Sequence, residues 1–254
     1  MTPIPTQSGR CWLVLGASSS VARAFARLVA EAGATVLLAG RDRTDLQRSA
    51  ADLKVRYGAV TEVLGFDALD RASQRLLVDA VRALAPEGTL DIFLAFGDMP
   101  EQAAMEHDPD LALRAITATF SGAASLLLDL APRLEAGRAG RVIILGSVAG
   151  DRGRLKNYVY GSAKAGLHAY LQGLRARLWR AGVTVTTVKP GPTDTAMTFG
   201  LEKLPLMVPP EIVARDAFRA AIAGREVVYT PAPWRLIMAI ICVIPERIFK
   251  KLNI

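Results

Sequence analysis

The chain alternates short apolar segments with longer segments of helical periodicity, and this alternation limits its fold more than any other feature. Apolar segments that predict strands occupy residues 10–15, 34–39, 61–66, 90–95, 142–145, 183–188 and 226–230. This order predicts an α/β fold with a Rossmann-type doubly wound parallel sheet, whose ligands bind at the carboxyl ends of the strands. No repeat or linker divides the chain. We therefore expect a single domain at residues 1–233 and a C-terminal apolar helix at residues 234–254 that packs on it or extends it.

The turn after the first predicted strand has features of a dinucleotide-binding loop. Gly16 is followed by three serines and a predicted helix, whose first backbone N–H groups can receive a pyrophosphate. The glycine pattern is incomplete, because Ser20 and Ala22 stand where glycine is usual. The Cβ atom of Ser20 limits how closely the backbone can approach a phosphate. A plain turn therefore explains this loop as well as a nucleotide site does.

The end of the second predicted strand indicates which nicotinamide cofactor to expect. Folds that choose NAD usually place an acid here for the ribose hydroxyls, whereas an arginine accommodates the 2′-phosphate of NADP. Arg41, supported by Arg43, therefore favours NADP(H), with NAD(H) as the second choice. A solvated arginine at the start of a helix is the alternative explanation.

Further cofactor contacts are expected at the ends of the later strands. Asp67 can accept a hydrogen bond from the adenine amino group, or it can cap the helix that follows. Thr195, in the turn after the sixth predicted strand, can bond the nicotinamide carboxamide or a phosphate. The expected cofactor-binding residues are Gly16, Ser18, Ser19, Ser20, Val21, Arg41, Asp67, Ala95, Phe96, Gly97, Tyr160, Lys164, Pro190, Gly191, Thr193 and Thr195.

Ser147, Tyr160 and Lys164 form the pattern with the clearest chemical meaning. Tyr160 and Lys164 lie four residues apart on a predicted helix, so both can project into one cleft, faced by Ser147 at the end of the preceding strand. A nearby ammonium lowers the pKa of a phenol, and we expect Lys164 to bring that of Tyr160 from about 10 towards neutral pH. Without the serine, such a pair is more often two ordinary helix residues. The trio suits proton transfer coupled to hydride transfer at a carbonyl or an alcohol.

Charge and residue types argue against several other functions. The net charge is +7, but the arginines are scattered, so we expect attraction to phosphorylated ligands or an anionic membrane and no nucleic-acid binding. Cys11 and Cys242 lie at opposite ends, and His107 and His168 lack partners at ligand spacing, so we expect neither a disulfide nor a metal site. His168 is expected to be a packing residue. No secretion signal begins the chain, which indicates a cytoplasmic protein.

The C-terminal segment allows two interpretations. Its continuous apolar run is about ten residues, too short to cross a bilayer, which takes about 20 helical residues. Trp234 and basic residues flank the run, so the segment suits a helix lying in a membrane interface, which would place the protein at the inner face of the membrane. The alternative is a helix buried between the subunits of a homodimer or homotetramer.

Taken together, the Gly16 loop, Ser147, Tyr160, Lys164 and the Pro190–Gly191 turn resemble the short-chain dehydrogenase/reductase family over nearly the whole chain. Within that family, the chain looks similar to the decaprenylphosphoryl-2-keto-erythro-pentose reductases. The segments that carry this narrower resemblance are residues 66–70, 95–97, 159–162 and 244–254.

The resemblance implies catalytic roles for Ser147, Tyr160 and Lys164, with Lys164 also contacting the nicotinamide ribose. Thr119 stands where many members have an asparagine that holds a water near the lysine, so the resemblance places Thr119 in the proton relay. Residues 94–97, Leu-Ala-Phe-Gly, replace the family's Asn-Asn-Ala-Gly. The pentose reductases are usually assigned NADH, whereas Arg41 indicates NADP.

We therefore expect an oxidoreductase that transfers hydride between NADP(H) and a carbonyl or alcohol. Its substrate is expected to be a small or lipid-linked carbonyl compound, such as a keto sugar on a polyprenyl phosphate or another lipid-like ketone. Residues 193–210 suit a flap over the substrate cleft. The alternative is a nucleotide-binding or scaffold protein that kept the fold and lost turnover, which the changes at Ser20 and Thr119 motivate.

Overall fold

The computed structural model describes residues 5–196 and 205–252. Within them, one seven-stranded sheet has the order β3-β2-β1-β4-β5-β6-β7, and every neighbouring pair is parallel. The strands are β1 (Cys11–Leu15), β2 (Thr35–Gly40), β3 (Thr61–Gly65), β4 (Leu90–Leu94), β5 (Gly140–Leu145), β6 (Val183–Pro190) and β7 (Val227–Thr230). The strand order reverses direction after β1, which confirms the predicted doubly wound α/β fold.

Helices cover both faces of the sheet and close two apolar cores. The helices are α1 (Ser20–Glu31), α2 (Arg43–Tyr57), α3 (Arg71–Leu84), α4 (Gln102–His107), α5 (Pro109–Ile116), α6 (Gly122–Gly137), α7 (Tyr158–Trp179), α8 (Pro210–Ile222), α9 (Trp234–Val243) and α10 (Glu246–Phe249). One core lies between the sheet and α3, α6 and α7, the other between the sheet and α1, α2 and α8. Successive side chains of β1 pack into opposite cores, with Leu13 in the first and Trp12 and Val14 in the second.

Two features of the secondary structure go beyond what the sequence predicted. The sixth strand was expected to end at residue 188, but β6 continues to Pro190, because Lys189 and Pro190 align with Tyr229 and Thr230 of β7. The helical region from α5 to α6 is not continuous, because a π-helical turn, Thr117–Ser121, interrupts it. An inserted residue of this kind rotates the side chains that follow it, and such turns are frequent at functional sites.

A buried carboxylate ties together the edge of the sheet where the strands begin. Asp91 of β4 is fully buried; its Oδ2 accepts from Arg10 Nε at 2.8 Å, and its Oδ1 accepts from the backbone N–H of Arg141 at 2.7 Å. The Arg10 and Arg141 guanidinium groups also form ion pairs with Asp91. The amino edges of β1, β4 and β5 are therefore joined through one side chain.

Two further segments bear on the sequence predictions. By length and composition alone, the helical region Pro109–Gly137 could cross a membrane, but several of its leucines lie in the core beside α3 and α7, and core helices pass the same test. In the segment expected to form a flap, Thr193 and Val208 make a parallel bridge. Residues 197–204 of that segment lie outside the described residues.

Candidate active site

Gly16 is required where it stands, because the chain turns tightly at the end of β1. Its φ is +72°, and a Cβ atom here would lie 2.9 Å from the Cβ of Phe96 and 3.0 Å from the carbonyl oxygen of Ala95. The N–H groups of Gly16 and Ala17 both donate to the carbonyl oxygen of Ala39. This turn therefore packs on the residues that follow β4 and bonds the last residues of β2, so it brings the ends of three strands together.

The start of α1 presents donors for an anion. The hydroxyl oxygen of Ser19 caps the helix by accepting from the backbone N–H of Ala22 at 3.3 Å. The N–H groups of Ser20 and Val21 donate to no residue in the described part of the chain. Two backbone donors at the positive end of a twelve-residue helix fit a pyrophosphate. Ser18 is exposed beside them.

Arg41 and Arg43 flank the residue that begins the next helix. Both arginines are exposed, and the Asp42 side chain between them caps α2 by accepting from the N–H of Asp45. The Arg43 guanidinium reaches Gly65, where a Cβ would lie 3.7 Å from its Nη1. Two cations thus stand beside the ends of β2 and β3, where a 2′-phosphate would lie in a dinucleotide fold.

Asp67 lies at the expected edge, but one of its two predicted roles is wrong. The residue that caps α3 is Asp70, which accepts from the N–H of Ala72 at 2.8 Å. Asp67 instead accepts from the N–H of Leu69 at 2.9 Å, and its own N–H donates to the Ser73 hydroxyl. The carboxylate remains part-exposed at the carboxyl end of β3.

The structure brings Ser147, Tyr160 and Lys164 together. The Ser147 side chain lies close enough to the Tyr160 hydroxyl to oppose the rise of its pKa. The Lys164 ammonium donates to the carbonyl oxygen of Leu145 at 2.7 Å and lies 5.7 Å from the centroid of the Tyr160 ring. Tyr160 and Lys164 are both buried. A short segment from the end of β5 and the first turns of α7 thus form one reaction centre.

The expected effect of Lys164 on the tyrosine is wrong in this structure. Burial raises the pKa of Tyr160 to about 12, and the hydrogen bond with Ser147 offsets only part of that rise. Burial also lowers the pKa of Lys164, to about 8. The sequence argument used the charge of the lysine and could not include the loss of water around both groups. At neutral pH the phenol is protonated, which is the form that donates a proton.

Thr119 reaches the centre from the π-helical turn. Its hydroxyl oxygen accepts from the N–H of Asp98 at 3.0 Å and also lies 3.2 Å from the Asp98 carbonyl oxygen. A Cβ atom on Gly97 would lie 3.3 Å from Thr119 Oγ1 and 3.5 Å from Lys164 Nζ. Thr119 therefore fixes the loop after β4 against the lysine.

The turn after β6 packs against the start of α9. Gly191 donates its N–H to the carbonyl oxygen of Thr230, and a Cβ on Gly191 would lie only 2.0 Å from the Trp234 indole nitrogen. Trp234 and Met238 also pack on Val148, the residue after Ser147. The C-terminal helix thus forms a wall beside the centre, a contact for which no local sequence signal exists.

Beyond this wall, Thr193 and Thr195 follow Pro190 and Gly191 along the expected loop. The Thr193 hydroxyl donates to the Gly191 carbonyl oxygen at 3.2 Å, and Thr195 is part-buried.

A buried polar cluster beneath Ser147 escaped the sequence analysis. Asp151 accepts from Lys189 Nζ at 2.5 Å and from the Tyr229 hydroxyl at 2.8 Å, and it lies 3.5 Å from Nδ1 of His168. Burial alone would raise the pKa of Asp151, but hydrogen bonds from His168, Lys189 and Tyr229 lower it to about 2. His168 is buried, as expected of a packing residue, but it also has polar partners.

His168 links this cluster to the catalytic serine. Its Nε2 accepts from the backbone N–H of Ser147 at 3.4 Å, which leaves the proton on Nδ1 facing Asp151. Burial lowers the pKa of His168, so the ring is neutral at neutral pH. Cβ atoms on Gly146 and Gly150 would lie 2.3 and 2.7 Å from the ring. Those two glycines, on either side of Ser147, were the sequence feature that could have indicated a side chain packed closely against this segment.

A family model described as short chain dehydrogenase matches residues 10–203. The chain belongs to this family. An uncharacterized oxidoreductase of Mycobacterium tuberculosis is 35% identical over 241 residues, covering 94% of this chain and 96% of the relative. One from Streptomyces coelicolor is 34% identical over 246 residues, covering 96% of each. This short-chain dehydrogenase is thus an oxidoreductase of the family, as the sequence predicted.

Solved structures agree with the fold. A short chain dehydrogenase of Burkholderia cenocepacia, solved in complex with NADP, has a TM-score of 0.83 at 20% identity. The match covers 98% of this chain and 99% of that structure. One of Sphingobium yanoikuyae, solved in complex with NADPH, has a TM-score of 0.77 at 22% identity, covering 93% and 97%. At these identities the likeness shows the shared fold.

The residues of this dehydrogenase fit a nicotinamide dinucleotide. The Gly16 turn and the first donors of α1 would hold the pyrophosphate, and Asp67 lies where an adenine amino group can be bonded. Ala95, Phe96 and Gly97 line the edge between that turn and Lys164. Tyr160 and Lys164 stand beyond them, where a nicotinamide ribose would follow.

Proposed function

We propose that this short-chain dehydrogenase reduces a carbonyl group with NADPH. The observation that carries the proposal is a buried Tyr160 on α7 whose ring lies 5.7 Å from the equally buried Lys164 ammonium, next to Ser147 at the end of β5. Burial raises the pKa of the phenol to about 12, which favours its protonated form. A phenol in this state is a proton donor. A bound nicotinamide supplies the hydride, which goes to the carbonyl carbon.

The chain then supplies the proton. The Tyr160 phenol donates it to the carbonyl oxygen, so that one hydride and one proton give the alcohol. Ser147 holds that oxygen against the phenol through its hydroxyl. The phenolate that forms is stabilised by the Lys164 ammonium, whose Nζ is 5.7 Å from the ring centroid. Burial of Tyr160 and Lys164 strengthens these interactions, because less water screens them.

The proposed choice of NADP(H) over NAD(H) rests on Arg41 and Arg43. Both cations are exposed at the end of β2, and the acid between them, Asp42, is engaged in capping α2. A 2′-phosphate would gain two charge-assisted contacts here. The acid that could bond the ribose hydroxyls of NAD, Asp42, already accepts from the N–H of Asp45.

For the substrate, we propose a lipid-like ketone, with a keto sugar on a polyprenyl phosphate as the first candidate. The wall beside Ser147 is apolar, because Val148, Trp234 and Met238 pack together there. The resemblance to the keto-pentose reductases and the net charge of +7 support a lipid-linked phosphate. A homodimer or homotetramer is proposed as the assembly.

The test is hydride transfer from NADPH and NADH across a panel of carbonyl compounds that includes lipid-linked keto sugars. Tyr160→Phe should abolish turnover and leave the NADPH dissociation constant unchanged within about threefold, since the lost hydroxyl supplies the proton. Tyr158→Phe, on the same helix but exposed, is the matched control and should retain activity. Activity of Tyr160→Phe within tenfold of wild type would refute the proposal. NADPH binding with no turnover on the whole panel would favour the nucleotide-binding scaffold.

A further inference from the structure

The outer face of α9 and the turn after it carry exposed apolar side chains. Leu236, Ile240 and Val243 follow one another at helical spacing on α9, and they are 68%, 56% and 77% exposed. Ile248 on α10 is 55% exposed. We call these four residues the C-terminal apolar face. Single exposed leucines are normal, but a continuous helical stripe of them usually marks a contact surface.

The opposite face of the segment is fixed to the catalytic domain. Trp234 and Met238 are buried against Val148. Arg152, in the loop after Ser147, donates to the Cys242 carbonyl oxygen at 3.1 Å and pairs with Glu246 at 2.6 Å. The C-terminal apolar face is therefore held outward by anchored contacts on its other side.

Basic side chains surround the C-terminal apolar face. Arg235, Arg247, Lys250 and Lys251 are exposed, and within the described ranges 5–196 and 205–252 none of them forms an ion pair. Glu246 is the sole acidic residue of the sequence after residue 233, and Arg152 neutralises it. The segment therefore combines an apolar stripe with uncompensated positive charge.

We propose that the C-terminal apolar face binds the surface of an anionic lipid membrane, lying in the interface with its cations at the phosphate level. An apolar stripe flanked by lysine and arginine is the pattern that binds such surfaces. A second copy of the chain fits less well, because a two-fold contact would bring the same uncompensated cations of both copies together. Ten helical residues lie in the interface and do not span the bilayer.

This orientation places the lipid beside the reaction centre. Val148, which follows Ser147 directly, contacts Trp234 and Met238 on the inner face of the helix whose outer face meets lipid. A substrate carried on a lipid would thus reach the cleft without leaving the membrane surface. The membrane contact itself goes beyond the proposed carbonyl reduction and does not depend on it.

The charge contribution is tested by co-sedimentation of the full chain with vesicles of phosphatidylcholine alone or mixed equally with phosphatidylglycerol. Binding is expected on the mixed vesicles at low salt and should weaken at least tenfold at high salt. The double variant Lys250→Gln, Lys251→Gln should bind about 25-fold more weakly, about fivefold per charge. Lys54→Gln with Arg180→Gln, which removes two exposed cations elsewhere, should match wild type.

The apolar contribution is tested in the same assay with Ile240→Ser, Val243→Ser. This variant should lose at least tenfold in binding at both salt concentrations, whereas Val55→Ser with Leu76→Ser, on α2 and α3, should not. Turnover of a water-soluble carbonyl should stay within twofold of wild type. Absent binding to the mixed vesicles at low salt would overturn the proposal, as would equal losses in the control variants. A smaller solution mass for the Ile240, Val243 variant would assign the face to a second copy.

Discussion

Replacing His168 by alanine should slow catalysis although the side chain is expected to touch neither substrate nor cofactor. The ring accepts a hydrogen bond from the backbone of Ser147 and lies against Gly146 and Gly150, so it supports the segment that carries the serine hydroxyl. We infer that His168 is a positioning residue for Ser147. Without the ring, that segment loses both an acceptor and its packing surface.

The magnitude follows from the contacts that are lost. Removing one partner from a buried hydrogen bond costs about 1–3 kcal/mol. The lower half of that range applies, because the Ser147 bond is long at 3.4 Å and Asp151 keeps Lys189 and Tyr229 as partners. If most of this free energy is lost from the interaction of Ser147 with the transition state, kcat drops about fivefold to thirtyfold, since about 1.4 kcal/mol is a factor of ten. NADPH affinity should change by less than about threefold.

The assay is steady-state turnover below the melting temperature, beside NADPH titrations of the same preparations. His107→Ala is the matched control, because His107 is exposed on α4 and bonds only the Ala103 carbonyl oxygen within the described structure. His168→Gln should recover part of the rate, because the glutamine oxygen can accept from the Ser147 N–H. His168→Gln should also retain its rate at acid pH, because glutamine does not titrate. In the wild type, protonation of Nε2 removes the acceptor for the Ser147 N–H.

Burial lowers the pKa of His168, so the wild-type enzyme should lose activity in acid only at a pH below the ordinary histidine range. Full activity in the alanine variant would refute the positioning role. If His168→Ala weakens NADPH binding as much as it lowers kcat, and His168→Gln recovers neither, the substitution damages the fold in general.

Three further predictions concern other parts of the molecule. Arg41→Asp should shift the ratio of NADPH and NADH dissociation constants towards NADH, and competition titrations showing an unchanged ratio would contradict the proposed phosphate contact. Burial lowers the pKa of Lys164 to about 8, so its charge is present below that pH and lost above it. In a pH–rate profile, kcat/KM should therefore fall as the pH rises through about 8. A profile that stays flat to pH 10 would argue against stabilisation of the phenolate by Lys164. Asp91→Ala should lower the free energy of unfolding by about 3 kcal/mol in denaturant titrations, the lower end for a broken buried pair, because its two arginines keep some exposure to water. Asp79→Ala, from an exposed ion pair, is its control and should change stability little.

The sheet and the position of the site could be predicted, because they depend on periodicity. Alternating apolar strands and helices place every strand end at one edge, and Gly16, Asp67, Gly97, Ser147 and Gly191 all lie there. The retained glycine at position 16 also had a local reason, since its positive φ and close contact with Phe96 admit no side chain.

Features that depend on contacts distant in sequence could not be predicted. The pKa of Tyr160 is raised because the fold removes water around it, and spacing along a helix contains no information on burial. The polar cluster joins Asp151, His168, Lys189 and Tyr229 from four separate elements. The capping of α3 was mispredicted for a different, local reason, because the sequence prediction considered Asp67 and not Asp70, the acid three residues later.

The packing of Val148 against α9 determines when the enzyme is complete during its own synthesis. The segment after β5 emerges from the ribosome before Trp234 and Met238, which pack against it. A nascent chain can form the nucleotide half of the sheet while its substrate cleft still lacks a wall.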